Sequence, residues 1–165
     1  MSEQAIYVKI DGIEGESQEA KHKGWIEAET FSYSVSNSSS ASVGGGSGVG
    51  RASFDVLQFT HAIDKTSPVL FKYCALGKHI PKVQVSVCKS SGNEKLGAIE
   101  FMNVTLEDVI ITYVSPNGSN ASSQVPESIS MSYAKILVKV KEQNKDGSLG
   151  KEVEAGWDVK QNQAA

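Results

Sequence analysis

Long hydrophobic runs are missing from this 165-residue sequence, and their absence argues against a membrane-spanning protein. No stretch approaches the roughly 18 consecutive apolar residues that a transmembrane helix needs. The first five residues, Met-Ser-Glu-Gln-Ala, also lack the basic start and the apolar core of a secretory signal peptide. We therefore expect a chain that is synthesised in the cytoplasm and does not insert into a membrane.

An excess of either charge is missing as well. Sixteen Lys and Arg residues against nineteen Asp and Glu residues give a formal net charge of -3, with no long block of one sign. Nucleic acids and anionic membranes attract basic surfaces, so neither partner has electrostatic support. Cysteine is equally scarce, at Cys74 and Cys88 only. A chain of this length builds a core without disulfides, so both cysteines are expected to be reduced packing residues.

Residue groupings that carry chemistry are also few. The three histidines, His22, His61 and His79, show no metal-ligand spacing, and each is expected in a surface or capping role. Cys74 with His79 makes at most half of a zinc site. No Gly-x-Ser-x-Gly motif is present, and the few close carboxylate pairs are typical of a solvated strand face. The sequence therefore predicts no enzyme, no metal and no cofactor.

One α-helix is clearly predicted, and it begins near Pro68. Thr66 or Ser67 can cap its first turn, Pro68 suits the first helical position, and Gly77 can adopt the left-handed conformation that ends a helix. Between these ends only Lys72 is strongly polar, so the apolar surface is wider than the single stripe of a surface helix. We expect one face to pack on the chain's own sheet and the other to lie beside a neighbouring subunit. Burial wholly within its own domain is the alternative.

The sequence around that helix has the character of β-strand. Apolar residues alternate with polar ones, most clearly at Val83, Val85 and Val87, and Gly, Asn and Asp supply turns between the alternating segments. The predicted strands cover residues 6–10, 24–35, 52–59, 83–88, 98–115, 129–140 and 153–159.

Irregularities in this alternation predict the curvature of the sheet. The inward-facing parity changes near Val56 and near residues 134–135, which predicts a bulge or a bend at each place. Glu107 and Asp108 interrupt an apolar run and predict a kink. Bulges turn a sheet through corners, and closing a sheet hides its edges. The fold is therefore predicted to be mainly β, an antiparallel β-barrel or sandwich with one short flanking α-helix.

Residues 36–50 have a composition unlike the rest of the chain. Eleven of these fifteen residues are Ser or Gly, and such a segment does not bury enough surface to order itself. The glycine spacing matches neither a dinucleotide-binding fingerprint nor a Walker motif. We expect a flexible extended arm that reaches a neighbouring subunit. The arm belongs to one domain over residues 1–165, whose tail at 160–165 is expected to fray.

Sequence blocks spread over the whole chain resemble the haemolysin-coregulated protein (Hcp) family, the secreted tube subunit of bacterial type VI secretion systems. Each block is weakly specific, but seven in register are strongly so. The blocks are YVKIDGIEGES at 7–17, HKGWIE at 22–27, DKTSPVL at 64–70, GKHI at 77–80, LEDV at 106–109, PESIS at 126–130 with AKI at 134–136, and DGSLG at 146–150 before AGWD at 155–158.

The resemblance implies a compact β-barrel with one flanking helix, assembled as a six-membered ring with an open centre. Stacked rings would form the tube that a contractile sheath drives, behind a spike, into a target cell. Small effectors would ride in the lumen, and the subunit would itself be exported without a signal peptide. No catalytic function follows from the resemblance.

A ring of identical subunits is joined head to tail, so two different surfaces of each copy must be complementary. We predict that the helix and the arm supply contacts to the next subunit or ring, and that a row of small polar side chains faces the lumen. The predicted contacts are Val43, Val49, Arg51, Pro68, Phe71, Lys72 and Ala75, and the predicted lumen residues are Ser128, Ser130 and Ser132. The alternative function is a monomeric β-barrel carrier of a small apolar ligand, and an enzyme comes third.

Overall fold

The structure is a computed structural model that describes residues 4–38, 50–90 and 97–165. Within these ranges it contains eleven strands and one helix. In chain order they are β1 (Gln4–Ile10), β2 (Ile26–Ala28), β3 (Thr30–Ser32), β4 (Val35–Asn37), β5 (Ala52–Phe54), β6 (Leu57–Ala62), α1 (Ser67–Leu76), β7 (His79–Ser90), β8 (Ala98–Pro116), β9 (Pro126–Gln143), β10 (Leu149–Asp158) and β11 (Gln163–Ala164).

The strands confirm the predicted antiparallel, mainly β architecture with one short helix. Nine of the described strands form one sheet, ordered β11-β10-β9-β8-β7-β1-β2, and β6 pairs with both β9 and β3. The strands β4 and β5 form a separate hairpin. The order of paired strands is therefore open at both ends and branches at β9, and the described strands do not form the predicted closed barrel. The reason lies at Glu29, which separates β2, paired with β1, from β3, paired with β6.

Strand β7 shows most clearly why these residues form this sheet. Val83, Val85 and Val87 are buried, and the first two lie opposite buried Leu106 and Val104 of β8. Side chains on a strand alternate between its faces, so this regular spacing directs every second side chain into the core. The prediction for this strand is confirmed, and the observed element is longer at both ends.

The sheet turns a corner along a line that crosses β7, β8 and β9. In each strand the buried residues on either side of that line are three apart instead of two, as at Leu106 and Val109 or at Met131 and Ala134. Asp108 lies on this line with a φ of 53°, in the left-handed region that few residues other than glycine adopt. The predicted kink is therefore present, but β8 runs through it as one continuous strand. The change of parity in β9 lies just before the predicted position.

The predicted strand over residues 24–35 is instead three short strands. The N–H group of Glu29 donates to the carbonyl of Thr60 at 2.7 Å, so the chain passes at this point from the edge of β1 to the edge of β6. The bulge or bend predicted near Val56 within one strand is instead a break between two strands, because β5 ends at Phe54 and β6 begins at Leu57.

The core lies between the sheet and α1. Its fully buried members include Phe59, Leu70, Ile111, Ile129 and Met131, drawn from β6, α1, β8 and β9. The end of the chain folds back onto β10, where Trp157 pairs with Ala164. Residues 163–164 are thus a strand, whereas the sequence predicted a frayed tail.

Candidate assembly surface

The helix begins at a turn that Asp64 organises. Its Oδ1 accepts hydrogen bonds from the backbone N–H of Thr66 at 2.8 Å and from the Thr66 hydroxyl. The N–H of Asp64 donates to Oγ of Ser67 at 3.1 Å. Thr66 occupies the capping position, but its side chain makes no capping bond, so the prediction that Thr66 or Ser67 caps the helix is wrong. The sequence signal for the real arrangement is an aspartate two residues before the cap, which is typical of an Asx turn.

The rest of the helix agrees with its sequence. Pro68 lies in the first turn, and Gly77 ends the helix with a φ of 61°. Leu70 is fully buried, and the half-buried Tyr73 and Cys74 also pack against the core. One face of α1 therefore packs on the chain's own sheet, where it lies against β8.

The opposite face of α1 is apolar and uncovered. Phe71 is 69% exposed and Leu76 is 65% exposed, although both are large hydrophobic residues. Pro68, Lys72 and Ala75 are exposed as well. We call these five residues the helix face. The sequence predicted four of them as subunit contacts and missed Leu76. Exposed apolar side chains grouped in this way are typical of surfaces that bind another protein.

A second uncovered surface has different chemistry. Ser128, Ser130 and Ser132 project from the side of β9 that faces away from the core, and the register places further uncharged polar residues beside them. Ser128 lies opposite Thr60 of β6 and Ser115 of β8, while Ser130 lies opposite Gln58 and Tyr113. Across β6, Thr60 and Gln58 in turn face Thr30 and Ser32 of β3. We call the set the hydroxyl face: Thr30, Ser32, Gln58, Thr60, Tyr113, Ser115, Ser128, Ser130 and Ser132.

The hydroxyl face spans four strands and carries no charged side chain among those nine residues. Ser130 is 7% exposed, while Ser128 and Ser132 are half-buried, so the three predicted lumen residues differ in access. The hydroxyl oxygens of Thr30 and Thr60 are 2.6 Å apart and form a hydrogen bond across β3 and β6. The sequence alone reveals only the alternating serines of β9 as part of this face. The other members lie beside them because of the pairing register between strands.

The strands that carry the hydroxyl face end in unpaired edges. Strand β3 pairs with β6 and with no other described strand. Strand β7 pairs with β8 only as far as His79 opposite Ile110, so no described strand covers the outer edge of β8 from residue 111 to residue 116. Unpaired edges expose backbone donors and acceptors that can pair with another chain.

The predicted arm contacts divide into two groups. Val43 and Val49 lie outside the described residues. Arg51 is described and exposed, immediately before β5 of the β4–β5 hairpin. Its predicted contact to a neighbouring subunit or ring stays a prediction.

A family model described as "Type VI secretion system effector, Hcp" matches residues 7–140, which is most of the chain. The chain belongs to the Hcp family. Protein hcp1 of Pseudomonas aeruginosa is 35% identical over 158 residues, covering 95% of this chain and 96% of that protein. The resemblance inferred from the sequence blocks is thereby confirmed.

Solved structures support the same family. The crystal structure of Hcp1 from Salmonella typhimurium is 34% identical, with a TM-score of 0.81 over 100% of both chains. A structure described as a type six secretion system protein reaches a TM-score of 0.91 at 25% identity, covering 99% of this chain and 100% of that one. The fold described above is therefore the fold of Hcp proteins.

One polar cluster of this Hcp chain has the outline of a hydrolase site. Nδ1 of His22 lies 2.5 Å from Oε2 of Glu19, and its Nε2 lies 2.9 Å from Oγ of Ser86. However, Ser86 is fully buried, and its hydroxyl donates to Glu100. Burial also raises the pKa of the neighbouring Cys88 thiol, which favours its unreactive form. The hydrogen bonds of this cluster join the loop over residues 14–25 to β7 and β8.

The second buried histidine lies where the helix meets the sheet. His61 is fully buried in β6, and its Nε2 lies 2.8 Å from Oε1 of buried Glu127 in β9. Only His79 is exposed, bonded to Asp108 at 2.9 Å, so the prediction of surface or capping roles is wrong for His22 and His61. The signal for His61 was available, since it continues the inward alternation of Leu57 and Phe59.

Within the described ranges, no group of three or more His, Cys, Asp or Glu side chains could hold a metal ion. Nor does that part of the chain contain a helix with the length and apolar character needed to cross a membrane.

Proposed function

We propose that this Hcp-family chain is the structural subunit of a type VI secretion tube. Six copies close into a ring with a central opening, and stacked rings form the tube. The subunit is made in the cytoplasm and exported by the type VI system itself without a signal peptide. Sheath, spike and effector proteins are its partners, and it is not an enzyme.

The helix face carries this proposal. The helix packs one face in the core and leaves two large apolar side chains in water. Covering them with a partner is favourable, because burying one such side chain stabilises a complex by about 1.5–3 kcal/mol. In a ring of identical chains, the partner is the next copy. Family membership supports that choice of partner over an unrelated protein.

The hydroxyl face and the sheet edges support the geometry of a ring. The strands β3, β6, β9 and the second half of β8 form a continuous uncharged polar surface with an unpaired edge on each side. If the edges of neighbouring copies approach one another, the hydroxyl faces together surround a common opening. Small hydroxyl side chains would let many effectors pass or be held weakly in that opening.

The alternative of a monomeric carrier has no observation in its favour. The space between the sheet and α1 is occupied by fully buried side chains, among them Val8, Phe59, Leu106, Ile111 and Met131. A carrier would need an apolar cavity at that place to hold its ligand.

The particle mass tests the proposal. Light scattering of the purified full chain should show a particle six times the 17.6 kDa of one chain, and negative-stain images should show rings with a central hole. A single species of one-chain mass at micromolar concentration would contradict ring formation.

A further inference from the structure

A buried histidine connects the sheet to the start of the helix. His61 is 0% exposed, and the strand register places it directly opposite Glu127, which is 3% exposed. Nε2 of His61 lies 2.8 Å from Oε1 of Glu127. On the other side of the ring, Nδ1 has no hydrogen-bond partner and lies 3.8 Å from Oδ2 of Asp64. The imidazole is therefore enclosed between two carboxyl groups.

The positions of these carboxyl groups favour a protonated imidazole ring. With a single proton on Nε2, His61 would donate to Glu127 but would direct the lone pair of Nδ1 toward Asp64. With a single proton on Nδ1, the lone pair of Nε2 would face Glu127 at 2.8 Å. The imidazolium form directs one N–H group toward each of the two carboxyl groups.

The shifts in pKa agree with this geometry. Burial alone would lower the pKa of His61, but the contacts with Asp64 and Glu127 together raise it above its usual value. At 3.8 Å the contribution of Asp64 comes from its charge, since a hydrogen bond is shorter than that. Burial alone would raise the pKa of Asp64, but its bonds with Thr66 and the nearby His61 hold it below the usual range.

Two further carboxyl groups lie near Asp64. Glu16 and Glu27 line a cleft of about 250 Å³ together with Asp64. The backbone N–H of Lys65 donates to Oε2 of Glu16 at 2.8 Å. On its own strand His61 meets the uncharged ring of Phe59, with a centroid distance of 5.6 Å. Carboxylates thus face the imidazole from β9 and from the turn before α1, with two more beside that turn.

Hydrogen bonds connect Asp64 to the first turn of the helix. The same carboxylate that faces His61 bonds to the N–H and hydroxyl of Thr66, and the carbonyl of Thr66 accepts the N–H of Leu70 at 2.9 Å. A contact that fixes Asp64 therefore fixes the first turn of α1. Phe71 of the helix face follows Leu70 directly.

We propose that His61 is a positioning residue. Its imidazolium form, held between Glu127 and Asp64, sets the angle at which the helix face meets the neighbouring copy. This inference rests on the ring assembly proposed above. Ring formation consequently weakens when His61 loses its second proton, which makes assembly sensitive to alkaline pH.

The direction of the pH effect follows from linkage. A histidine whose pKa is raised by folding contributes stability that is complete below its unfolded pKa of about 6.5 and is lost as the pH rises through its folded pKa. Asp64, whose pKa is lowered, remains charged throughout this range. The loss therefore lies on the alkaline side of pH 6.5.

Two measurements on the full chain test the proposal between about pH 6 and pH 9. Mass photometry gives the fraction assembled, and hydrogen exchange of the peptide that spans α1, corrected for intrinsic rates, reports the helix without requiring assembly. In the natural chain the fraction assembled and the protection of α1 against exchange should both decrease about tenfold as the pH rises across the range. His61→Gln should show weaker assembly and no pH dependence. His79→Gln, at an exposed histidine, should follow the natural chain.

Asp64→Asn keeps an acceptor for Thr66 and removes the charge that faces His61. This variant should move the pH at which half of the assembly is lost to a value lower by about 1 unit. It also keeps the test valid if His61→Gln does not fold. Rings with a flat pH profile and constant α1 protection in the natural chain would overturn the inference and leave the proposed function standing. Protection of α1 that depends on pH, without rings at any pH, would support the positioning role and overturn the proposed function.

Discussion

The helix face and the hydroxyl face are both uncovered in the single chain, but leaving them in water has different consequences. Phe71 and Leu76 expose apolar side chains, so covering them lowers the free energy. Ser128 and Thr60 present hydroxyl groups that water solvates well, so nothing requires them to be covered. The comparison indicates that the first surface joins copies and that the second can remain open around a channel.

The strongest way to break this comparison is to place a charge on the helix face. Phe71→Glu should weaken ring formation at least a hundredfold, because an apolar contact is replaced by a carboxylate that has no partner. The free energy of unfolding of the single chain should change by less than about 0.5 kcal/mol, since Phe71 is 69% exposed. Mass photometry and urea denaturation measure the two effects.

The matched control is Lys145→Glu in the exposed turn between β9 and β10. It also introduces a carboxylate, and it should leave the rings intact. Rings of normal mass in Phe71→Glu would show that the helix face is not a contact.

Removing the arm separates contacts within a ring from contacts between rings. Deletion of residues 41–48 should shorten or abolish stacked tubes, because the arm is predicted to contact the next subunit or ring. Six-membered particles should remain where the helix face alone holds the ring together. Electron microscopy of concentrated protein measures tube length. Tubes of normal length after the deletion would show that the arm is not needed for stacking.

The hydroxyl face should respond in the opposite way to the helix face. Ser132→Glu should leave ring mass unchanged and reduce about tenfold the retention of a small effector exported by the same system, because a fixed charge enters an uncharged surface. Binding to the natural rings should also change little between about 0.05 M and about 0.5 M salt. Loss of rings in Ser132→Glu, or strong salt dependence, would contradict a neutral open face.

The smallest expected effect concerns the corner in β8, the strand that contacts α1 and carries Tyr113 and Ser115. Asp108→Ala should lower the free energy of unfolding by about 1 kcal/mol relative to Asp108→Asn, because asparagine tolerates a positive φ and alanine does not. Both variants lose the charge that pairs with His79 and Lys160, and because these contacts are exposed they contribute little to the difference between the variants. Equal stability of the two variants in denaturant titrations would exclude backbone strain at Asp108.

The sequence was informative where local chemistry decides the structure. Pro68 and Gly77 marked the helix, the valines of β7 marked a core strand, and a change of alternation marked the corner. Gly77 could be predicted because only its backbone conformation mattered. The apolar residues of the helix likewise predicted two buried or covered faces, of which the structure shows one buried and one exposed.

Features that depend on distant residues were not predictable in the same way. The break at Glu29 exists because the residues before it pair with β1 and the residues after it pair with β6. The hydroxyl face exists because register aligns four strands. The burial of His61 was readable from its spacing to Leu57 and Phe59, but its partner was not, because the carboxyl group that satisfies one of its nitrogens lies on another strand.

A density map of the assembled particle tests the central claim most directly. Cryo-electron microscopy at a resolution that separates strands should place Phe71 against the neighbouring subunit and the hydroxyl face around the central opening. A particle in which the helix face points to solvent while Ser128 and Thr60 are covered by the next copy would contradict the account.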